Sequence, residues 1–517
     1  MKIGIDIGGT NTHAVLVSGD GKLKMVSSSL TTPDVYTGVY RSMKALLQKS
    51  EIRAEEVKGI YIGTTELMNA VYDEKVLAKT ALIRIARRPV NITPALKWPA
   101  TLRRLITEPY FMESDHGYNK SGGRIADFKP LEPLYQSIAD GKVEAVSIVG
   151  SYSPLYENEE VAVKNEIRKR FPEMPVTVSH SFGSLGFVER ENAALLNSLL
   201  SKMLEKMLAH LADGFSSLLL ECPFWLTQNN GSLMSVDQAM KFPVLTLASG
   251  AANSLKGAAK LSGLQDVIAV DIGGSKVYAA RVAGGELPEV MGSSDFPGLE
   301  AGLEMPEIIS LPFGTGNRPV IRKGEVELLP LLSNDIKQYG VAWGGDVLTV
   351  SDCFLKLFPD AFYDPELHTE KLKYVPANEC AMVVQYVVRK IKEILDRLQN
   401  EERNLPIVLV GGGSPLFNPK LFGKYEKVLN PAGYPYSGAI GACDATISEV
   451  SDKVYWLNDR SKEEVVAGAA SACKLEAIKK GADPDTVKLA YIEEYPFEYM
   501  KGEILRIKIK AVGEQIL

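Results

Sequence analysis

Asp6-Ile7-Gly8-Gly9-Thr10 occurs twice in this chain, the second time as Asp271-Ile272-Gly273-Gly274-Ser275. Each copy follows a short apolar run, Lys2-Ile3-Gly4-Ile5 or Val267-Ile268-Ala269-Val270, and precedes another, His13 to Val17 or Lys276 to Val282. The pattern predicts a buried strand that ends on an acid, turns through two glycines and returns as a second strand. A glycine-bearing turn then follows each pair, at Gly19-Asp20-Gly21 and at Gly284-Gly285. Paired glycines let the backbone approach an anion with its N–H groups aimed at it and no side chain in the way. An aspartate at the strand end is placed to hold hydrated Mg2+ against the same phosphate. A single Gly-Gly turn also serves an ordinary hairpin. Two copies point to two similar lobes, each offering a phosphate loop to one nucleotide.

The 517 residues suffice for two or more domains. Apolar content of 45% with 24% charged residues is that of a globular protein. The net charge of −6 and the lack of a long basic run speak against a nucleic-acid partner. No apolar run reaches the about 18 residues that cross a bilayer. The first apolar run is short and carries Asp6, unlike a signal peptide. A cytoplasmic protein without membrane contact is therefore expected. Cys222, Cys353, Cys380, Cys443 and Cys473 lie far apart with no CxxC pair. That spacing fits reduced thiols and speaks against an iron–sulfur or zinc cluster.

Along the chain, apolar periodicity predicts helices over Tyr36–Lys49, Asn158–Arg170, Glu191–Leu211, Glu379–Leu398 and Lys462–Lys480, the last stopped by Gly481. Strands are expected at 59–62, 80–85, 145–149, 176–178, 217–220, 407–410 and 504–510. The strand–helix–strand rhythm from 145 to 178 implies a parallel sheet. Gly63-Thr64-Thr65 ends a strand, either for ligand contact or as the cap of the next helix. Phe313–Asn317 reads as a hairpin loop or a ligand turn, and Leu348–Asp352 as a strand end or a helix cap. Residues 89–135 are the least regular part, either a lid or substrate loop or a solvated excursion. Gly411-Gly412-Gly413 follow an aliphatic strand and let a flat ligand lie on the backbone.

This order of phosphate loop, long insert, phosphate loop, helix and late glycine motif resembles the actin, sugar-kinase and Hsp70 superfamily. Its two lobes clamp ATP. The chain has neither a Walker A motif nor a GxGxxG fingerprint. Over nearly its whole length it also resembles the A subunit of the hydantoinase/5-oxoprolinase family. The stretches that carry the likeness are Asp6–Thr10, Gly63–Thr65 with Asn69, Ser179-His180, Glu189-Arg190, Leu196-Asn197, Gln228–Gly231, Ser249-Gly250, Asp271–Ser275, Leu348–Asp352, Gly411–Ser414, Gly481–Pro484 and Tyr499–Val512.

The resemblance implies an α/β, two-lobed actin-like (ribonuclease H-like) ATPase fold with a duplicated phosphate-binding hairpin. The lobes are expected at 1–190, with the irregular insert, and at 191–470, with 471–517 packing back on them. It implies ATP with Mg2+, ring opening of a small lactam, hydantoin or related cyclic amide, and a partner B-type subunit. Asp6 and Asp271 would hold the metal through water. Gly8, Gly9, Thr10, Gly273, Gly274 and Ser275 would cradle the phosphates, and Gly411, Gly412 and Gly413 the adenosine.

The chain departs from the family where relatives end the two loops Gly-Gly-Thr-Phe-Thr-Asp and Gly-Gly-Thr-Ser-Thr-Asp. Here His13 and Tyr278 replace the final acids. Relatives also carry His-Ser-Tyr at Gly150–Tyr152 and a Gly-Ala-Gly-Gly-Gly-Ser stretch at Pro312–Asn317. His13 and His180 are the candidates for a catalytic base; a histidine satisfied by backbone groups is the competing reading for each. Two other functions stay open: a small-molecule kinase of the same superfamily, and a nucleotide-binding regulatory protein without turnover.

Overall fold

The computed structural model describes all residues except 33, 73–75, 115, 117–124, 126, 183–184, 292–302, 400–403, 458–459, 498–503 and 517. β1 (Lys2–Ile7) and β2 (Asn11–Val17) form the first hairpin, and β3 (Leu23–Leu30) adds to its outer edge. After helix α1 (Tyr36–Ser50), β4 (Gly59–Thr64) lies parallel to β1 on the other side. β1 is thus central, and Ile3, Ile5 and Ile7 are fully buried.

Helix α2 (Glu66–Tyr72) leads into a separate sheet of β5 (Thr80–Ala86), β6 (Tyr110–Glu113), β7 (Ala145–Gly150) and β8 (Val176–Val178). These four are all parallel, in the order β6-β5-β7-β8. Helices α3 (Ala100–Arg103), α4 (Glu132–Ala139) and α5 (Asn158–Arg170) connect them. β5 and β7 are buried at every position, as a parallel sheet covered on both faces requires. The irregular insert thus contributes a helix and a strand of this sheet, and part of it lies outside the described residues.

The strand expected at 217–220 is absent. Helix α6 (Phe187–Ser217) runs into it, and the chain turns at Leu219 with φ +59° before β9 (Phe224–Thr227). Three leucines are too short a run for periodicity to separate a helix end from a strand. β9 pairs parallel with β4 and antiparallel with β10 (Leu233–Ser235) through the Gln228–Gly231 turn.

Helices α7 (Val236–Lys241) and α8 (Ser249–Ser262) lead to the second hairpin, β11 (Val267–Ile272) and β12 (Val277–Val282). Next come a short hairpin, β13 (Glu289–Met291) with β14 (Glu304–Pro306), and then β15 (Ile309–Leu311) beside β12. β16 (Arg318–Arg322) and β17 (Glu325–Leu329) form a further hairpin. Helix α9 (Val350–Leu357) opens on Thr349, whose hydroxyl accepts from Asp352 N–H while the Asp352 carboxylate accepts from Thr349 N–H at 2.7 Å. Leu348–Asp352 is therefore a helix cap. After α10 (Ala377–Leu398), β18 (Ile407–Val410) lies parallel to β11, with β19 (Val428–Leu429) at its side.

Past α11 (Ser437–Cys443), the chain returns to the first sheet. β20 (Ile447–Trp456) pairs with β10; after α12 (Lys462–Lys479), β21 (Lys488–Pro496) and β22 (Ile504–Gly513) extend the edge. The result is a nine-stranded sheet, β21-β22-β20-β10-β9-β4-β1-β2-β3, and a five-stranded one, β15-β12-β11-β18-β19. Residues 224–235 and 447–456, placed in the second lobe from the sequence, belong to the first sheet. The pairings that bring them there, Ile60 with Phe224 and Leu233 with Ile447, join distant parts of the chain, and local pattern carries no trace of them.

The two sheets meet where α8 and α11 cross at backbone contact. A Cβ on Gly257 would overlap Ser437 C=O, and one on Gly441 would overlap Asn253 C=O. Gly4 of β1 is likewise pressed against Ala439 C=O of α11. With α8 on β11 and α11 on β1, this crossing sets the C-terminal ends of β1 and β11 side by side.

Candidate functional site

The two glycine turns share one geometry. Gly8 N–H donates to Asn11 C=O at 3.1 Å and Gly273 N–H to Lys276 C=O at 3.0 Å. Behind them, Thr65 N–H donates to Ile7 C=O at 3.0 Å and Gly413 N–H to Ile272 C=O at 2.9 Å. Gly63-Thr64-Thr65 is therefore the first lobe's counterpart of the Gly411–Gly413 stretch. Its two readings fall on different residues: Thr64 Oγ1 accepts from Glu66 N–H at 3.0 Å as a cap, and Thr65 faces the cavity. The Phe313–Asn317 turn props the second loop, with Thr315 N–H on Gly273 C=O at 3.0 Å and Gly316 N–H on Gly274 C=O at 2.8 Å.

One cavity of about 320 Å³ is lined by Asp6, Gly8, Gly9, Thr10 and His13 of the first lobe and by Asp271, Gly273, Gly274 and Ser275 of the second, with Gly411, Gly412 and Gly413. The loops face each other closely: a Cβ on Gly274 would sit 3.4 Å from Thr10 Oγ1. Residues not singled out from sequence also line it. Ser254 and Lys276 stand near the loops, and Leu331, Ile336, Trp343 and Phe362 line it together with Asn334 and the Lys337–Asp364 ion pair. Lys276 follows the second loop directly, and that adjacency was the available signal. None of the described residues of 89–135 lines this cavity.

The acids are recessed and resist ionisation. Enclosure by protein, and then the charge of Asp271, push Asp6 up to about 8. Enclosure also raises Asp271, against a hydrogen bond from Ser254. His13 stands directly opposite Asp6 in the β1–β2 ladder, and Tyr278 opposite Asp271 in β11–β12. Directly opposed residues share a face, so both replacements border the retained acids. Burial pushes His13 down to about 4, and its ring packs edge-on against Tyr436 at 5.2 Å. At neutral pH it is an uncharged imidazole.

Two neighbouring carboxyls whose ionisation is held back by burial, and at Asp6 also by the charge of Asp271, fit a divalent cation, whose charge would favour their ionised form. Among the described residues no cage of three or more His, Cys, Asp or Glu converges. The pair therefore suits a metal that keeps most of its water.

His180 is not part of this cavity. It lines a second one, of about 480 Å³, to which none of the three glycine stretches contributes.

The architecture is that of the two-lobed actin-like α/β fold with a duplicated phosphate-loop hairpin. Residues 2–171 match the hydantoinase/oxoprolinase N-terminal region and residues 190–449 the hydantoinase/oxoprolinase model; the chain belongs to that family. It is 24% identical over 336 residues to the caprolactamase alpha subunit of Pseudomonas jessenii, a match over 61% of this chain and 48% of that protein. The chain thus spans about half the length of this curated relative. The crystal structure of the ATP-dependent caprolactamase from Pseudomonas jessenii superposes with a TM-score of 0.77 at 17% identity, covering 99% of this chain and 87% of that one. A nucleotide-free acetone carboxylase superposes with 0.76 at 17%, covering 100% and 88%. No helix among the described residues is long and apolar enough to cross a membrane.

Proposed function

We propose that this chain is the ATP-binding subunit of a ring-opening amidohydrolase that acts on a small lactam, hydantoin or related cyclic amide. The observation that carries the reading is the meeting of both Asp-x-Gly-Gly loops and the Gly411–Gly413 stretch in one cavity, in a chain of the hydantoinase/oxoprolinase family.

A ring amide resists water because its nitrogen donates into the carbonyl and leaves badly. ATP supplies a phosphoryl group to the carbonyl oxygen and so turns it into a leaving group. The protein's share is positioning and charge neutralisation. Backbone N–H groups of Gly9, Thr10, Gly274 and Ser275 hold the phosphates, while those of Gly8 and Gly273, also expected from the sequence to bind phosphate, instead close the two turns on Asn11 and Lys276 C=O. Asp6 and Asp271 hold Mg2+ through its water. Gly411–Gly413 carry the nucleoside, with the base toward Leu331, Ile336, Trp343 and Phe362. His13, uncharged and beside Asp6, neither repels a cation there nor adds a third carboxylate. The protein acts with a B-type partner subunit, and its five free cysteines suit a reducing cytoplasm.

The test is phosphate release from ATP over a panel of lactams and hydantoins, with and without the partner. Turnover is expected to rise with one ring and to need the partner. No rise over the panel, partner present, overturns the reading. A stable phosphorylated product seen by mass spectrometry would make the chain a kinase instead.

A further inference from the structure

The second cavity holds a histidine fixed with more care than a structural role needs. His180 Nδ1 lies 2.6 Å from Glu160 Oε2, which also accepts His180 N–H at 3.0 Å. Glu160 Oε1 accepts from Gly150 N–H at 2.7 Å and from the Ser179 hydroxyl at 2.6 Å. Glu160 is fully buried. Burial alone would raise its carboxyl, but the His180 ring and the other donors outweigh this and hold it below the usual range. Arg190, also buried, ties the loop down through Ser153 Oγ at 2.6 Å and Gly150 C=O at 3.0 Å. The network assigns the proton to Nδ1. Nε2 is then the atom left for the cavity; Glu157 Oε2, on a largely exposed side chain, is 3.7 Å away.

The chamber around it has a mixed lining. Gln228, whose Nε2 donates to Leu233 C=O at 3.2 Å, and Gln238, whose Oε1 accepts from Ser235 N–H at 3.4 Å, line it beside the apolar Phe182, Met234, Phe242 and Leu245. Its wall carboxylates Glu289, Glu304 and Asp452 are paired with Lys510, Lys508 and Arg506 of β22 respectively, Glu449 with Lys480 and Glu476 with Lys479; Glu157 stands by His180, and Lys453 also lines the wall. A wall most of whose carboxylates face a lysine or arginine, with carboxamides between apolar side chains, favours a neutral ligand with its own donor and acceptor.

We propose that this chamber is a second small-molecule site that binds a neutral cyclic amide, with His180 Nε2 hydrogen-bonded to the ring amide and the glutamines completing its polar edge. The identity of the ligand rests on the amidohydrolase reading above. The chamber itself does not depend on it.

Hydantoin and ε-caprolactam serve as probes, titrated by calorimetry into the full chain with and without a non-hydrolysable ATP analogue. One ring is expected to bind in both conditions. His180→Ala should weaken it about tenfold, the worth of one buried hydrogen bond. Leu245→Trp, which fills the chamber, should abolish it, with analogue affinity within about twofold of wild type. Should Leu245→Trp fail to fold, His180→Ala and Gln238→Ala decide. Unchanged ring binding in these variants, or displacement of the ring by the ATP analogue, overturns the chamber. So does absence of ring binding. If ring-stimulated phosphate release with the partner persists in the variants, the amidohydrolase reading stands while the chamber falls.

Discussion

At Asp6 the balance of forces is set against ionisation, and that gives the site a pH signature. Its folded pKa, about 8, lies above the unfolded value of about 4. Its contribution to stability is therefore full below about pH 4 and lost as pH rises through about 8. Wild-type melting temperature should fall over this window, and Asp6→Asn, which cannot ionise, should lessen that fall, leaving only the share of the enclosed Asp271. Mg2+ with ADP should restore wild type and leave Asp6→Asn unmoved. Because binding displaces the proton, Mg–nucleotide affinity should weaken about tenfold per pH unit below about 8. Melts at several pH values with and without Mg–ADP check this; identical curves for the two proteins would discard the assignment of Asp6. Gly411 gives a second test. Its φ is +86°, and a Cβ there would overlap Asp271 Oδ1, whereas one on Gly412 meets nothing within 4 Å. Gly411→Ala should cost about 1–3 kcal/mol by chemical denaturation, and Gly412→Ala close to nothing.

Among the elements, the crossing of α8 and α11 is where side-chain size matters most. Gly257→Ala or Gly441→Ala must push a helix off its neighbour's backbone and should cost about 1–3 kcal/mol, as overpacking does. Gly468, exposed in α12 with open space around it, supplies the contrast: Gly468→Ala should stabilise by about 0.5–1 kcal/mol. Denaturant titrations that rank these variants otherwise would remove the crossing from its role as the joint between sheets. The same crossing marks a limit of sequence reading. The small residues of Ser249–Gly257 are visible in the chain, but their partner, α11, is nearly two hundred positions away. Long periodic helices such as α10 and the aliphatic strands β11 and β18 are legible, because burial of one face or of both leaves a period. The Gly-Gly loops are legible because the same Asp-x-Gly-Gly motif recurs after an aliphatic strand, where a single copy would read as an ordinary hairpin turn. Leu331, Ile336, Trp343 and Phe362 are not, since four apolar residues scattered over irregular chain make no period. The joining of β9, β10 and β20 to the first sheet is not legible either, because hydrogen-bond partners are chosen by tertiary packing.

In the whole molecule, Asp6 belongs to the nine-stranded sheet and Asp271 to the five-stranded one, and a ligand held by both couples the two bodies. That coupling is measurable as a failure of additivity. If one Mg–nucleotide bridges the pair, Asp6→Asn and Asp271→Asn each remove most of its affinity, since either change leaves the metal held from one side only. The double variant then has little left to lose and should bind about as weakly as the weaker single one. Two independent half-sites would instead give losses that multiply. The readout is nucleotide affinity by calorimetry for the four proteins, at a pH above about 8, where Asp6 of the wild type is ionised. Small-angle scattering on the same samples supplies a second readout: nucleotide should compact the wild type and none of the variants. Multiplying losses, or compaction in a single variant, would mean that the loops do not act on a shared ligand, whatever their likeness to each other.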